Sequence, residues 1–412
     1  MAKYCVIGKK LPHTLSPFLY KNMGFDYGVS ELVDETELKN FVVNNTYDGY
    51  NVTIPYKKSI ISHLDYVDDI AKKVGAVNTV VKKDGKSYGY NTDVEGMRQA
   101  FKKAGISIWG KNVLILGTGG TAATAEYFSR SEAAASIVKV SREGEINYNN
   151  CYEYNCTDII INTTPVGMFP ITNEIPIDLK RFPRLSGVYD AVYNPLKTKL
   201  KEEAEKIKIP SANGLYMLVA QAKKAAELYL GKILPDTLTE ELFRKTLIAH
   251  TNLVLVGMPG SGKTTIGKEL ARLMNRPFID IDEQIEKKEG RKIPDLFELK
   301  GETYFREIES QLLNEACSNL GYVIATGGGA VLKEDNRDSI RRNGYVVWIR
   351  RDISDLEMEG RPLSRDINAL KKIESDRMHL YADISNVSVL NNSINLEVAK
   401  EIKEIYENDI SY

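Results

Sequence analysis

LVLVGMPGSGKTTIG, residues 253–267, is the stretch that decides the fold of the C-terminal part of the chain. Its apolar start, Leu253–Val256, predicts a buried strand. Gly257–Thr264 then fits the G-x-x-x-x-G-K-[ST] phosphate loop, and apolar residues recur after it at helical spacing. A strand, a glycine-rich loop and a helix in this order turn backbone N–H groups toward phosphate oxygens. The stretch therefore predicts a site for a nucleoside triphosphate.

The residues of this loop have separate tasks in such a site. Lys263 reaches the terminal phosphates, and the hydroxyl of Thr264 can ligate magnesium. The loop begins at residue 257 of 412, which leaves room for a separate domain before it. The expected nucleotide-binding residues are Gly257, Gly260, Ser261, Gly262, Lys263, Thr264 and Thr265.

Composition indicates a globular chain with little attraction for nucleic acid. A length of 412 residues suggests two or three domains. Lys and Arg total 55 against 56 Asp and Glu, so no basic excess is available to hold a phosphate backbone. No apolar run approaches the roughly 20 residues that span a bilayer, and the first residues contain no long apolar segment.

The four cysteines, Cys5, Cys151, Cys156 and Cys317, are scattered along the chain. Scattered thiols favour a reducing cytoplasm over a disulfide framework. Cys151 and Cys156 could be taken for half of a metal site, but no second pair and no nearby His completes it. We interpret them as ordinary thiols.

A second glycine-rich stretch, GTGGTA at residues 117–122, follows an apolar strand and precedes a helix of small residues. It matches the G-x-G-x-x-A dinucleotide fingerprint, in which the glycines permit a tight turn and close approach of a pyrophosphate. The next predicted strand ends at Ser141 and Arg142. An Arg there suits the 2′-phosphate of NADP, so Arg142 favours NADP(H), while the adjacent Glu143 would repel a phosphate if it pointed inward.

Polar residues gather at the predicted strand ends of the N-terminal half, where α/β proteins place their chemistry. Lys57 follows one β-rich run, and Asp93 stands near the start of a helix. Taken alone, Asp93 also fits an N-cap or a first-turn acid favoured by the helix dipole. The hydroxyls of Thr14 and Ser16 fit helix capping as well as ligand binding. The local pattern leaves these alternatives open.

Eight separated motifs together resemble shikimate dehydrogenase over about residues 4–247: HTLSP, GYNVTIPYK, GAVNTV, YNTDVEG, GTGGTA, INTTPVGM, VYNPLKT and GLYMLVAQA. The resemblance implies NADPH-dependent reduction of the ketone of 3-dehydroshikimate to shikimate, with Lys57 and Asp93 as the catalytic pair. It implies substrate contacts from Thr14, Ser16, Asn51, Thr53, Asn78, Tyr193 and Gln221. The cofactor residues that we expect are Gly117, Gly119, Gly120, Thr121, Ala122, Ser141, Arg142, Thr163 and Gly214.

Two departures from this family pattern bear on function. Thr14 stands where the family usually has Ser, so the hydroxyl is kept and a methyl group is added. The segment 142–158 is short and polar where the family has a helix near the adenosine. We expect this chain to lack most of that helix, to expose the adenine end of the cofactor and to bind NADPH more weakly.

The C-terminal part places further charged groups after its predicted strands. Asp280 and Asp282 alternate at a strand end, which predicts two carboxylates on one face. Phosphoryl transfer needs one acid near magnesium and one near the acceptor hydroxyl. The glycines 327–329 follow another strand and indicate a backbone that approaches a ligand closely.

These motifs, with DIDEQIE, GETYFREIE, GRPL and R-x-x-x-Y in order, resemble shikimate kinase over about residues 252–405. The resemblance implies transfer of the γ-phosphoryl group of ATP to the 3-hydroxyl of shikimate. It assigns the acceptor hydroxyl to Asp282 and the transferring phosphoryl group to Arg361. It assigns magnesium to Thr264 and, through ordered water, to Asp280. The substrate residues that it implies are Asp282, Arg306, Gly327, Gly328, Gly329 and Arg377.

One departure concerns the lid of this kinase-like part. The stretch between Ile349 and Arg361 is shorter than is usual in the family. We find no match to the arginine that normally stacks on adenine. We therefore expect the nucleotide base to be held loosely.

The sequence predicts an α/β chain of three domains. These are an α/β substrate-binding domain at 1–95, completed by helices at about 214–247, a Rossmann NADP-binding domain at 96–213, and a P-loop domain with a helix-flanked parallel sheet at 252–412. The predicted protein is a cytoplasmic, bifunctional enzyme of aromatic amino-acid biosynthesis that uses NADP(H), ATP and Mg²⁺. Its expected partners are small molecules, without nucleic acid or membrane, and it is a monomer or homodimer.

Two alternatives remain. A catalytically silent sensor of shikimate or quinate could keep both folds. Such a sensor predicts damage at Lys57, Asp93, Lys263 or Asp282, and none of these residues is replaced. The milder alternative is a quinate-using dehydrogenase joined to a kinase of different sugar-acid specificity, which Thr14 and the substrate pocket leave open.

Overall fold

The computed structural model describes residues 3–11, 14–353 and 367–410, except for the side chains of 367–369. Contacts between residues divide the chain into two compact units. The first unit comprises residues 1–193 and 198–246, and the second comprises 194–197 and 247–412. Arg361, which the sequence assigns to the phosphoryl group, lies outside the described residues.

The first unit begins with a mixed six-stranded sheet. Its strands are β1 (Lys3–Gly8), β2 (Asp26–Glu31), β3 (Gly49–Val52), β4 (Tyr66–Val67), β5 (Thr79–Lys83) and β6 (Lys86–Tyr90). They lie in the order β2-β1-β3-β5-β6-β4. The β1–β2, β1–β3 and β4–β6 pairs are parallel, whereas β5 runs antiparallel to β3 and β6. The helices of this part are α1 (Ser16–Asn22), α2 (Glu35–Asn44), α3 (Asp69–Val74) and α4 (Asp93–Lys103).

A second sheet of the same unit has five strands, all parallel. They are β7 (Asn112–Leu116), β8 (Ser136–Val140), β9 (Ile159–Asn162), β10 (Gly187–Asp190) and β11 (Ser211–Ala212), in the order β11-β10-β9-β7-β8. Every residue of β9 and β10 is buried, as a parallel sheet covered on both faces requires. The helices that follow are α5 (Gly120–Ser131), α6 (Lys199–Lys206), α7 (Leu215–Leu230) and α8 (Thr237–His250).

The connection from β8 to β9 contains a single 3₁₀ turn at Cys151–Glu153 and no α-helix. The sequence predicted this loss from the short, polar segment 142–158. Apolar side chains of the loop, with Cys151 fully buried, pack on the sheet in place of a helix. A loop therefore covers the face of the second sheet on which Cys151 packs.

The second unit is built on another parallel sheet. Its strands are β12 (Asn252–Val256), β13 (Phe278–Asp280), β14 (Val323–Ala325), β15 (Gly344–Arg350) and β16 (Val387–Leu390), in the order β13-β14-β12-β15-β16. The helices are α9 (Lys263–Met274), α10 (Ile281–Glu289), α11 (Ile293–Ser318), α12 (Glu334–Asn343), α13 (Ile367–Ile384) and α14 (Asn395–Asp409). The central strand β12 is buried throughout and delivers the phosphate loop at its carboxyl end.

The strand before the two acids ends earlier than the alternating pattern predicted. β13 stops at Asp280, and Asp282 lies in the first turn of α10. Asp280 caps this helix, because its Oδ1 accepts the backbone N–H groups of Asp282 at 2.9 Å and Glu283 at 3.2 Å. The prediction that both carboxylates share a strand face was wrong, since the N-cap preference of Asp begins a helix there.

In the described part of the chain, no helix combines the length and the apolar character that crossing a membrane requires.

Candidate active sites

Lys57 and Asp93 form an ion pair in the first unit. Lys57 follows β3, and Asp93 is the first residue of α4. The Lys57 Nζ lies 2.7 Å from Asp93 Oδ2, and the two side chains are 18% and 9% exposed. This shielding makes the attraction stronger than that of a surface pair. The N-cap of α4 is Thr92, so the N-cap alternative for Asp93 was wrong, whereas Asp93 does lie in the first turn of this helix. Its two carboxylate oxygens bond the side chains of Lys57 and Asn78.

Asn78 holds the same carboxylate from its other oxygen. The Asn78 Nδ2 donates to Asp93 Oδ1 at 2.8 Å, and its Oδ1 accepts the backbone N–H of Thr92 at 2.8 Å. The Thr92 hydroxyl in turn donates to Gln221 Oε1 on α7 at 3.2 Å. The structure therefore joins the predicted residues Asn78, Asp93 and Gln221 in one buried network. The sequence analysis missed Thr92, although its place beside Asp93 in YNTDVEG was a usable signal.

The other predicted substrate residues differ in how their side chains are buried and hydrogen-bonded. Ser16 is buried on α1, and the Thr14 hydroxyl accepts the Ser16 N–H at 3.3 Å. The N-cap of α1 is Leu15, so neither hydroxyl takes the capping position. The side chains of Thr53 and Tyr193 make no hydrogen bond in the described part of the chain, and burial raises the pKa of the Tyr193 hydroxyl. These two hydroxyls are available to a ligand.

Asn51 differs from them, because its amide is already bonded. Its Nδ2 donates to the Thr79 hydroxyl at 3.1 Å and to the Asn78 carbonyl at 3.3 Å. Its Oδ1 accepts the hydroxyl protons of Tyr27 at 2.6 Å and Tyr229 at 3.1 Å. Substrate contact by Asn51 stays a prediction, and it would require one of these bonds to open.

The dinucleotide loop reaches the ion pair. A Cβ on Gly120 would lie 3.8 Å from the Lys57 Cδ, and Gly119, at the N-cap of α5, has open space around it. Gly117 has φ +108°, and a Cβ there would lie 2.7 Å from the Thr163 hydroxyl. That hydroxyl donates to the carbonyl of Leu116 at 2.6 Å. The loop thus combines a required tight turn with an open N-terminus of a helix, which fits a pyrophosphate.

The remaining predicted cofactor residues are divided between surface and core. Arg142 follows β8, is exposed, and makes no hydrogen bond or ion pair within the described ranges. Ser141 and Thr121 are half-buried, while Ala122 packs in the core. A Cβ on Gly214 would lie 2.1 Å from the Ala191 carbonyl oxygen, so packing alone already requires a glycine there.

In the second unit, most of the predicted nucleotide and substrate residues line one cavity of about 740 Å³, whereas Gly257 and Ser261 lie in the phosphate loop outside its lining. It is bounded by the phosphate loop, the start of α10, the loop after β14 and the α13 helix. The predicted residues that line it are Gly260, Gly262, Lys263, Thr264, Thr265, Asp280, Asp282, Arg306, Gly327, Gly328, Gly329 and Arg377.

The phosphate loop has the backbone that its glycines were expected to provide. Gly257, Gly260 and Gly262 have φ values of +147°, +85° and +96°, which favour glycine over residues with a Cβ. The Lys263 Nζ donates to two loop carbonyls, those of Gly257 at 3.0 Å and Met258 at 2.8 Å. This curvature directs N–H groups inward and fits a polyphosphate.

Two side chains beside the loop fit a phosphate and its magnesium ion. The Ser261 hydroxyl is buried without a hydrogen-bond partner, which a bound phosphate oxygen would supply. The Thr264 hydroxyl donates to Asp280 Oδ2 at 2.6 Å, so a hydroxyl and a carboxylate oxygen lie together. The described residues contain no group of three or more His, Cys, Asp or Glu placed to hold a metal ion. Mg²⁺ commonly binds through one or two protein groups, water and substrate phosphate.

Asp282 is the acid with the most perturbed environment of this cavity. Burial and the nearby charges of Asp280 and Glu309 raise the pKa of its carboxyl to about 7, against the opposing effect of Lys263 and Arg306. A carboxyl with a pKa near neutrality is suited to accept a proton from a substrate hydroxyl.

The three glycines leave room for side chains of the same cavity. A Cβ on Gly327 would lie 2.4 Å from Glu309 Oε1 and 2.9 Å from Asp282 Oδ1. One on Gly329 would lie 2.4 Å from the guanidinium nitrogens of Arg306. The Gly328 carbonyl accepts hydrogen bonds from Arg377 at 2.9 Å and from the Tyr381 hydroxyl. Close packing of these side chains is one physical reason for the glycine run, beside the expected approach of a ligand.

Arg306 is held by two acids. Its guanidinium lies 2.7 Å from Glu309, which is fully buried, and 3.1 Å from Glu302. Sequence analysis missed Glu309, whose signal is its spacing of three residues from Arg306 on one helix. It also missed Arg351 and Asn391, which line the cavity beside the phosphate loop.

Comparison with known proteins relates the chain to two families. A family model for the shikimate dehydrogenase substrate binding domain matches residues 6–80, and one for shikimate kinase matches residues 259–407. The shikimate dehydrogenase (NADP(+)) of Clostridium perfringens strain 13 is 35% identical over 266 residues, which cover 60% of this chain and 98% of that protein.

Solved structures give the same relation. Shikimate dehydrogenase 1 from Peptoclostridium difficile superposes with a TM-score of 0.56 at 30% identity, covering 60% of this chain and 97% of that one. The shikimate 5-dehydrogenase of Thermus thermophilus, solved in complex with NADP(H) and shikimate, gives 0.53 at 27% identity, covering 60% and 99%. The chain therefore belongs to the shikimate dehydrogenase family through its first unit and carries a shikimate kinase domain in its second, which makes it a bifunctional enzyme of the shikimate pathway.

Proposed function

We propose that the first unit reduces 3-dehydroshikimate through Lys57 and Asp93, and the observation that carries the proposal is their 2.7 Å ion pair beside the dinucleotide loop. NADPH supplies the hydride when it is bound. The Lys57 ammonium donates the proton that the ketone oxygen takes up. Asp93, fixed by Asn78, orients Lys57 and a substrate hydroxyl. Thr14, Ser16, Thr53, Tyr193 and Gln221 complete the proposed substrate contacts.

For the second unit we propose transfer of the γ-phosphoryl group of ATP to the 3-hydroxyl of shikimate. Asp282 accepts the proton of that hydroxyl. Arg306 and Arg377, with the loop 327–329, bind the substrate carboxylate, for which a planar guanidinium offers paired donors. Lys263 and the phosphate loop bind the ATP phosphates. Mg²⁺ neutralises phosphate charge when bound, and Thr264 and Asp280 are its proposed protein contacts, directly and through water.

We also propose the organisation in which these reactions occur. The boundaries are 1–95 with about 214–247 for substrate binding, 96–213 for NADP binding and 252–412 for the kinase. The free thiols of the described cysteines support action in the cytoplasm, where thiols stay reduced. The proposed enzyme is a monomer or homodimer whose partners are small molecules, without nucleic acid or membrane.

A sequential assay on the purified chain tests both activities. With 3-dehydroshikimate we expect the NADPH absorbance to fall, and after addition of Mg-ATP we expect shikimate 3-phosphate in the products. Assays without ATP and with heat-treated protein are the controls. Nucleotide binding without either turnover would contradict the proposal and favour the silent sensor.

Arg142→Ala is expected to raise the KM for NADPH about tenfold or more and to leave the KM for NADH unchanged. The proposed contact is a charge-assisted hydrogen bond to the 2′-phosphate, which is worth about 1.5–3 kcal/mol. Initial rates with each cofactor at saturating 3-dehydroshikimate give the two values.

Arg130→Ala is the matched control for this change. Arg130 is exposed on α5 and pairs with Glu126, so its removal should affect neither cofactor. An equal loss for NADPH and NADH in the Arg142 variant would place its role elsewhere than at the 2′-phosphate.

A further inference from the structure

Arg351 reaches the phosphate loop from the end of β15, the strand that pairs with β12. Its Nη1 donates to the carbonyl oxygen of Gly260 at 3.4 Å. The side chain is half-buried and lines the cavity of the second unit. This bond is the one hydrogen bond that Arg351 makes within the described ranges, and it uses one of the five N–H donors of a guanidinium. The other donors are available to a ligand in the cavity.

The end of β15 is fixed against the phosphate loop. A Cβ on Gly257, at the start of the loop, would lie 2.3 Å from the carbonyl oxygen of Ile349. The carbonyl of the last residue of β15 accepts the backbone N–H of Asn391 at 2.7 Å, and the Asn391 Nδ2 donates to the Ser261 carbonyl at 2.9 Å. These contacts hold the backbone next to Arg351 in place beside the loop.

Arg351 differs from Arg306 because no carboxylate holds it in the described part of the chain. The Arg306 guanidinium pairs with Glu309 at 2.7 Å and with Glu302 at 3.1 Å. Arg351 forms no ion pair within the described ranges. A guanidinium that is positioned beside an anion-binding loop without an acidic partner is suited to a phosphate, with which it forms paired, charge-assisted hydrogen bonds.

The order of the strands indicates which phosphates Arg351 would meet. β13 and β14 lie on one side of β12, and the chain after them carries Asp282 and the glycines 327–329, the proposed acceptor groups. β15 lies on the other side of β12 and leads to Arg351. Because the γ-phosphoryl group must face the acceptor, the rest of the phosphate chain is expected to extend toward β15.

We propose that Arg351 is a further ATP-binding residue of the kinase site, whose guanidinium donates hydrogen bonds to the α- and β-phosphates. This inference rests on the proposed function of the second unit. Lys263 and the N–H groups of the phosphate loop bind the phosphate chain from β12, and Arg351 adds a positive charge from β15. ADP keeps both of these phosphates, so Arg351 binds the substrate and the product alike and does not act on the transferring group.

Arg351→Met tests this assignment, because it removes the guanidinium and keeps much of the apolar stem. Mg-ADP is titrated calorimetrically into the full chain saturated with NADP⁺, which occupies the dehydrogenase site. We expect the dissociation constant of Mg-ADP and the KM for ATP to rise together, about 10- to 100-fold. The kcat and the KM for shikimate should stay within about threefold, since binding that is equal in ground and transition states leaves kcat unchanged. Arg351→Lys keeps the charge without the paired donors and should recover part of the loss.

A second titration separates the phosphates from the base. CDP has the two phosphates of ADP and a different base, so Arg351→Met should weaken the binding of both by the same factor. A larger factor for ADP would place the guanidinium on the base. A raised KM for ATP with unchanged ADP binding would place it at the γ-phosphate. Either result would overturn the assignment.

Arg350→Met is the matched control. Arg350 is the exposed neighbour, its guanidinium carbon lies 5.4 Å from the centroid of the Trp348 ring, and it is not among the described residues that line the cavity. It should leave the dissociation constant of Mg-ADP unchanged. Unchanged nucleotide binding by Arg351→Met, or an equal loss in both variants, would overturn the inference. A wild type that binds Mg-ADP but does not phosphorylate shikimate would overturn the proposed function of the second unit, whereas the titrations would still decide the role of Arg351.

Discussion

Lys57→Met is expected to lower the kcat of the dehydrogenase by about 10²–10⁴-fold, the usual contribution of a positioned general acid. Methionine has a similar length but no proton to give to the ketone oxygen. Asn78 still donates to Asp93 in this variant, so the carboxylate keeps part of its support. The rate is measured as NADPH oxidation at saturating 3-dehydroshikimate.

The chain offers two controls for this experiment. Lys58→Met changes the exposed neighbour of the same loop and should retain wild-type activity. The kinase rate on shikimate, measured on the same preparation, should be unchanged in both variants. A Lys57→Met enzyme that keeps more than about a tenth of the wild-type kcat would exclude Lys57 as the proton donor.

The features that sequence predicted best are those fixed by backbone chemistry. The phosphate loop follows β12, the central buried strand, and the dinucleotide loop follows β7 in a second parallel sheet. Both turns require backbone with positive φ, which glycine adopts readily, so the glycines in the sequence predict the turns directly. The loss of the helix after β8 could be predicted because too few apolar residues are present to build one.

Features that depend on contacts between side chains distant in sequence were harder to predict from the sequence. The alternation of apolar and acidic residues predicted that Asp282 lies on a strand, but Asp280 ends the strand and caps a helix. The same short sequence fits both a strand end and a helix start. The bonds that tie Asn51 to Tyr27 and Tyr229 join residues 24 and 178 positions apart. No local periodicity reports such a contact, because it is set by the packing of α7 against the first sheet.

Asp282→Asn is expected to lower the kcat of the kinase by about 10²–10⁴-fold, because an amide cannot accept the proton of the acceptor hydroxyl. Its geometry is otherwise nearly that of the carboxyl group. The rate is measured as shikimate 3-phosphate formed at saturating ATP and shikimate. The dehydrogenase of the same chain should be unaffected. A variant that retains most of its kinase activity would remove Asp282 from the reaction.

The pH dependence of the wild-type kinase should reflect the same carboxyl group. Burial, Asp280 and Glu309 raise the pKa of Asp282 to about 7. Below this value the group is protonated and cannot act as a base, so kcat/KM should rise as the pH increases through about 7. This rise should be absent from the residual activity of Asp282→Asn. A wild-type profile that is flat from pH 6 to 8 would contradict the assignment.

As the pH rises, the contribution of Asp282 to the stability of the kinase unit should fall while the kinase activity increases. The folded pKa of Asp282 lies above its ordinary value of 3.8, so the folded state holds a proton that the unfolded state releases. Linkage then makes this group's contribution to folding fall as the pH rises from about 4 to 7. Asp282→Asn removes that dependence, so at pH 8 its kinase unit should be at least as stable as the wild type.

The two tryptophans of the chain allow this comparison to be made on the kinase unit alone. Trp109 is 77% exposed in the first unit, whereas Trp348 packs against the core of the second. In a Trp109→Phe background, fluorescence during urea unfolding therefore reports the second unit. If Asp282→Asn proved less stable than the Trp109→Phe parent at pH 8, the Asp282 carboxylate would stabilise the folded kinase unit at that pH. Its raised pKa and its place between two acids argue the reverse: the fold tolerates an unfavourable charge at the position where the proposed reaction needs a base.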